Sequence, residues 1–218
     1  MFSIPASLRS PRSLILSGVL GGLAFAVLPV SSARAAGLIN TDACDNAALT
    51  KPFAPWGDSN SYKLVPGGDF EGSLAGWTLT GGAKLIPGSE PFGVTGATGK
   101  WSMYLPAGAS VQSPFTCVDF AYPTFRLFAH NNALLSTVAV SIVYKEPLLG
   151  PLTLPVGVIA LDGVWRPSAP MQTLSSEQGL VNYLLAGGAM PQVALRFTAL
   201  TGSSEVDDVF VDPHLGVA

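Results

Sequence analysis

The sequence predicts an all-β protein, an antiparallel β-sandwich with one short helix. Three observations carry that reading. Turn formers are dense: 24 glycines and 18 prolines in 218 residues punctuate short apolar runs. Three segments alternate apolar and polar residues at period two, as half-buried strands do. Charged residues make up only 11% of the chain while hydrophobic ones reach 48%. That balance excludes a disordered polyelectrolyte, a coiled coil and a nucleic-acid binder working through a basic patch.

The first element is a leader rather than part of the fold. Arg9 and Arg12 precede an uncharged run from Ser13 to Ala33, and Ala33-Arg34-Ala35 closes it with small residues. A basic start, an apolar middle and small residues before the cut are the parts of a secretory signal peptide, here residues 1–35. The competing reading is a retained membrane anchor, since about 20 apolar residues span a bilayer. Gly18, Gly21, Gly22 and Pro29 weaken it. Cleavage removes three arginines (Arg9, Arg12 and Arg34) and takes the net charge from −3 to −6. The expectation is a secreted or cell-surface protein with no affinity for nucleic acid, and none for membrane once the signal is gone.

Cys44 and Cys117 are the only cysteines. In an exported chain an even count reads as one disulfide. The 44–117 loop would stabilise the fold by roughly 4–5 kcal/mol in the chain-entropy model. A pair of thiols is the alternative, but the chain has no Cys-x-x-Cys.

Residues 36–62 read as an irregular lead-in with Pro52, Pro55 and Trp56, and residues 63–213 as the sandwich. The clearest strands are 124–130, 136–145 and 191–199. In the second, Val138, Val140, Ile142 and Tyr144 share the inner face. In the third, Val193, Leu195 and Phe197 do, with Gln192, Arg196 and Thr198 outward. In the first, Phe125, Leu127 and Ala129 alternate with Arg126, Phe128 and His130, which are expected on a wet face. Further strands are expected at 77–80, 84–86, 100–105, 110–113, 152–159, 165–167 and 205–211. Ser175 and Gln178 form a capping-box pattern before Leu180, Val181, Leu184 and Leu185, which predicts the one short helix, ending near Gly187. An outer-membrane barrel fits the length, but the strands are short, prolines are many and Gly216-Val217-Ala218 lacks a terminal aromatic.

Two segments carry a family likeness. Gly67-Gly68-Asp69-Phe70-Glu71 followed by Gly76-Trp77 resembles the opening of galactose-binding-like jelly rolls, including many bacterial carbohydrate-binding modules. Val206-Asp207-Asp208-Val209-Phe210-Val211 resembles their last strand. The stretch 64–213 is also similar to uncharacterised secreted actinobacterial proteins of this design. The resemblance implies a jelly-roll sandwich in which the first and last strands are neighbours, with Phe70 plugging the core beside Trp77. It also implies a structural calcium ion, for which Glu71 and Asp208 are the matching positions. Asp69 and Asp207 are weaker candidates. Calcium takes six to eight oxygens. The bland alternative is that these acids bond turn amides.

Catalytic patterns are sparse. His130 and His214 are the only histidines, and no Gly-x-Ser-x-Gly elbow is present. Glu71, Glu90, Glu146, Glu177 and Glu205 show no spacing that selects a glycosidase pair. No phosphate loop or dinucleotide fingerprint occurs. A binding face is the better expectation, because sugars are held by aromatic platforms with planar polar groups beside them. Tyr104, Arg126, Phe128, His130 and Arg196 are the expected ligand-binding set, with Trp56 and Trp101 as further platforms. The sequence therefore suggests a non-catalytic module for carbohydrate or a cell-envelope polymer. The alternatives are a structural or adhesive protein that binds another protein, and a hydrolase of unrecognised type.

Overall fold

A computed structural model describes residues 47–118, 124–131, 136–146, 150–173, 181, 184–185 and 187–212. The segment 1–35 expected to be a leader, Cys44 and His214 lie outside them. Thirteen strands follow in order among the described residues: β1 (Lys63–Leu64), β2 (Thr78–Thr80), β3 (Lys84–Pro87), β4 (Trp101–Leu105), β5 (Ser110–Gln112), β6 (Thr116–Cys117), β7 (Thr124–Asn131), β8 (Ser136–Glu146), β9 (Gly150–Leu161), β10 (Arg166–Pro167), β11 (Met171–Gln172), β12 (Gln192–Thr201) and β13 (Ser204–Asp212). One sheet runs β10-β7-β13-β4-β3, with β1 also on β13 and β11 on β7. The other runs β2-β5-β12-β8-β9, with β6 on β12. Every pairing is antiparallel. This is the expected sandwich. The strands that sequence reading missed, β1, β6 and β11, are two residues each, too short for alternation to register. Of the expected helix only Val181, Leu184 and Leu185 are described, and all three are helical. Among the described residues no helix is long and apolar enough to cross a membrane.

The core follows from the alternation. Val138, Val140, Ile142, Leu195 and Phe197 from one sheet meet Phe125, Leu127, Met103 and Val206 from the other, all fully buried. Fully burying each such side chain contributes about 1.5–3 kcal/mol. Phe70 is buried and packs edge-on against Trp77, with ring centroids 5.0 Å apart. Cys117 is buried in β6 and is not a free thiol.

The first and last strands are neighbours: Lys63 pairs Val211 and Leu64 pairs Phe210. Beyond them the chain clamps a bulge in β13. Val65 N–H donates to Val209 O and Val209 N–H to Gly68 O. Gly68 is required there, since a Cβ would lie 2.8 Å from Val209 O. The register of β13 against β7 shifts between Asp207 and Phe210, and Asp208 sits in the left-handed region at φ 46°. Aspartate tolerates that conformation better than most residues.

A second apolar cluster lies on the outside of the β7-containing sheet. Thr50 bridges to Tyr62, and a short 3-10 turn, Ala54–Trp56, lies between them. This segment drops Phe53 and Tyr62 onto Phe128 and Phe210, all of them buried. The Phe53 ring stacks on Phe128 at 5.5 Å and meets Tyr62 and Phe210 edge-on at 4.9 and 5.6 Å. The wet face expected for β7 is therefore a dry interface over most of its length.

Candidate functional site

Three of the five expected ligand-binding positions do not share an open surface. Arg126 is buried: Nε donates to Ser168 O at 2.8 Å, Nη1 meets Asp58 Oδ2 at 2.8 Å, and the guanidinium lies 4.3 Å from the Phe53 ring centre. Phe128 is buried beneath Phe53 and Trp56. Arg196 belongs to the other sheet, where it donates twice to Gln112 Oε1, at 3.1 and 2.7 Å. Alternation told correctly that these residues point away from the core. It carried no information on which sheet holds each strand or what covers it.

The Arg126 pair is a built-in anchor for the capping segment. Burial alone pushes the Asp58 carboxyl up, but the Tyr62 hydroxyl, Arg126 and the Asn60 amide outweigh it, so its pKa falls below the usual carboxylate value. Burial, and then the Asp58 carboxylate accepting its proton, push the Tyr62 hydroxyl well up.

Tyr104 and His130 do come together, on the uncovered part of the same outer face. Register builds a row across the sheet: Lys84 opposite Tyr104, Tyr104 opposite Glu205, Glu205 opposite His130. Trp165, just before β10, closes the row with its ring 4.3 Å from the His130 ring. With strands about 4.8 Å apart, Tyr104 and Trp165 stand roughly 14 Å from each other. Both are half-buried. Between them Glu205 Oε2 accepts from Ser102 Oγ at 3.1 Å and faces His130 Nε2 at 3.1 Å. His130 Nδ1 lies 3.0 Å from Asn131 O. Two oxygens thus face the two ring nitrogens, and the ring is fixed in position. Next to this row Trp56 and Phe92 meet edge-on at 4.9 Å, each resting on Phe128, and are 37% and 46% exposed. The result is a strip of aromatic faces around a fixed pair of hydrogen-bonding groups.

Sequence reading missed Lys84, Glu205, Trp165 and Phe92. Glu205 was legible in part, lying two residues from Asp207 on the outward phase of the last strand. Trp165 and Phe92 sit in loops, where no periodicity reports direction.

The acids near the β13 bulge follow the bland alternative rather than a calcium cage. Glu71 Oε1 accepts from the amides of Lys100 and Trp101. Asp208 instead lies with Asp207 and Glu90, all three buried. Asp207 Oδ2 accepts from Ser89 Oγ at 2.8 Å and from the Glu90 amide at 3.0 Å. Glu90 in turn accepts from the amides of Phe92, Gly93 and Val94, which shapes the loop that presents Phe92. Among the described residues no three acidic, histidine or cysteine groups are arranged to hold a metal ion. Glu71 and Asp208, engaged separately, do not fit one. Crowding three buried acids favours their protonated forms. Burial pushes the Asp207 carboxyl up to about 7. Burial, then the neighbouring Asp207 and Glu90 charges, push Asp208 up to about 9, and it shares a hydrogen bond with Glu90.

A cavity of about 530 Å³ opens elsewhere, between β9 and β10–β11, lined by Val158, Leu161, Pro167 and Met171 among others. The charged groups at its rim, Asp162 and Arg166, are paired with each other at 3.0 Å. Its lining is more apolar than polar and carries no aromatic ring, a poor match to a pyranose.

Neither a protein-family model nor a curated protein matches the sequence. Among solved structures the chain is similar to the CBM22-1–GH10 modules of Clostridium thermocellum xylanase 10B, complexed with xylohexaose. Identity there is 16% over 69% of this chain, with a TM-score of 0.47, and the chain spans 28% of that protein's length. It is also similar to the C-terminal family 22 carbohydrate binding module of Clostridium thermocellum Xyn10B, at 15% identity over 74% of this chain and 99% of that one, TM-score 0.47. A third is TmCBM61 in complex with beta-1,4-galactotriose, at 11% identity over 68% and 96%, TM-score 0.41. At these scores the sandwich rests on its own strand order, not on these neighbours.

Proposed function

We propose that this protein is an exported, non-catalytic carbohydrate-binding module acting at the cell envelope, and that it holds its glycan on the strip from Tyr104 to Trp165. The observation that carries the reading is the row itself. Two half-exposed aromatic rings flank a Glu205–His130 pair that is already fixed by Ser102 and Asn131. A pyranose has apolar faces and hydroxyl edges. The rings offer stacking surface, and the His130–Glu205 pair between them, bonded to each other and to Ser102 and Asn131, holds that surface rigid, so little side-chain entropy is lost on binding. The roughly 14 Å between the rings is about the length of three sugar units laid across the strands. The leader at 1–35 supports export, and a Cys44–Cys117 disulfide would suit that compartment.

A glycan array followed by titration calorimetry tests this. Tyr104→Ala and Trp165→Ala are expected to weaken binding about tenfold or more, a loss of about 1.4 kcal/mol each. Arg196→Ala, on the other sheet, leaves affinity alone. Absence of any glycan or wall-polymer binding, or a protein whose affinity responds to Arg196 and not to Tyr104, would end the proposal.

A further inference from the structure

We infer that the strip selects a glycan carrying a carboxylate, a uronate-type unit whose acid group is seated on Lys84 beside the Tyr104 ring. This rests on the carbohydrate reading above and narrows it. Lys84 faces Tyr104 in register from the edge strand β3, and its ammonium lies 5.9 Å from the centre of the Tyr104 ring. That places it within reach of the ring as a cation–π contact. Among the described residues no carboxylate pairs with it. On the other side of Tyr104, Glu205 is engaged by His130 and Ser102. The ring therefore lies between a cation that, among the described residues, has no carboxylate partner, and an acid whose Oε2 is already engaged by Ser102 and His130.

A sugar stacked on Tyr104 carries its exocyclic group outward in the plane of the ring. On the Lys84 side a hydroxymethyl meets the ammonium as a neutral acceptor. A carboxylate meets it as a charge-assisted partner, roughly twice as strong. The chain as a whole is acidic, at −3, so polyanions gain no general attraction. Selectivity has to arise at this one contact, and salt has to screen it.

Titration calorimetry on the exported protein with matched neutral and acidic oligosaccharides decides the matter. The pairs are xylotetraose with and without a glucuronate branch, and galactotetraose against tetragalacturonate. One acidic member is expected to bind about tenfold tighter than its neutral match at low salt, with the gap narrowing at high salt. Lys84→Met brings the ratio of the two affinities to about one, and Lys84→Arg keeps it well above one. A ratio near one in the unaltered protein overturns the inference, as does a preference that survives Lys84→Met. A lysine that only guards the sheet edge gives that second result. Binding of both members with no preference leaves the carbohydrate reading standing. Binding of neither member of either pair removes the inference, and the array then shows separately whether the carbohydrate reading falls with it.

Discussion

The two sheets present the same kind of inner face and opposite kinds of outer face. Outside β12 and β5, polar side chains satisfy one another: Arg196 with Gln112, Thr198 with Ser110 at 3.2 Å, Thr137 with Thr201 at 3.0 Å. Nothing apolar is needed to cover such a face. Outside β7 and β13 the residues are Phe128, Phe210 and Arg126, and the chain covers them with Phe53, Tyr62 and Asp58. The cover stops short of Tyr104 and His130, which are half-buried on either side of the buried Glu205. The difference teaches that the candidate site is the uncovered remainder of an apolar face, and that the capping segment defines its boundary.

The largest expected effect comes from removing that cover. Phe53→Ala deletes a fully buried ring that touches Tyr62, Phe128 and Phe210, and should cost about 3–5 kcal/mol in urea unfolding. Arg126→Ala leaves Asp58 with a lost partner in a mostly buried setting and should cost about 3 kcal/mol. Arg196→Ala on the polar face should cost under about 1 kcal/mol. Equal costs for the two arginines would mean that the faces do not differ as described.

Much of this was legible in the sequence, and what escaped did so for identifiable reasons. The alternation in 136–145 and 191–199 assigned inner faces correctly because burial writes period two into the chain. The Gly-Gly-Asp-Phe-Glu stretch placed Phe70 and the neighbouring first and last strands. Alternation does not say which sheet a strand joins, so Arg196 was grouped with Arg126 across the sandwich. Nor does it announce a cover made by a proline-rich segment such as 50–62, because Phe53 and Tyr62 follow no strand period. Phe92 was lost for the same reason, whereas Trp165, expected at the start of a strand over 165–167, lies just before β10, a strand too short for alternation to show which way the ring points.

The cap and the β13 bulge should respond to pH in opposite directions. Asp58 titrates below its ordinary range in the folded chain, so the stability it adds is present above about pH 4 and is lost on acidification. Asp207 and Asp208 titrate above theirs, so the folded state holds protons that the unfolded chain has released. Stability is then highest near pH 4 and falls as pH rises toward 7 and 9. The slope is about 1.4 kcal/mol per pH unit for each group over its window. Asp208→Asn keeps a donor toward Glu90 and tolerates the left-handed backbone. It should flatten the alkaline limb in urea titrations at pH 5 and pH 8. An alkaline limb unchanged by this substitution would sink the proton-sharing account of the bulge.

The smallest expected effect separates protons from calcium at that same bulge. A structural ion binding only the folded chain raises the melting temperature with its concentration. With Glu71 held by the Lys100 and Trp101 amides and Asp208 turned toward Glu90, added calcium or chelator should move the melting temperature by under about 2 °C at pH 6, a small fraction of what a bound ion confers. A larger calcium-dependent rise that disappears in Asp208→Asn would restore the ion and displace the shared protons. The loop carrying Phe92 would then owe its shape to a metal, and the edge of the aromatic strip would depend on calcium rather than on pH.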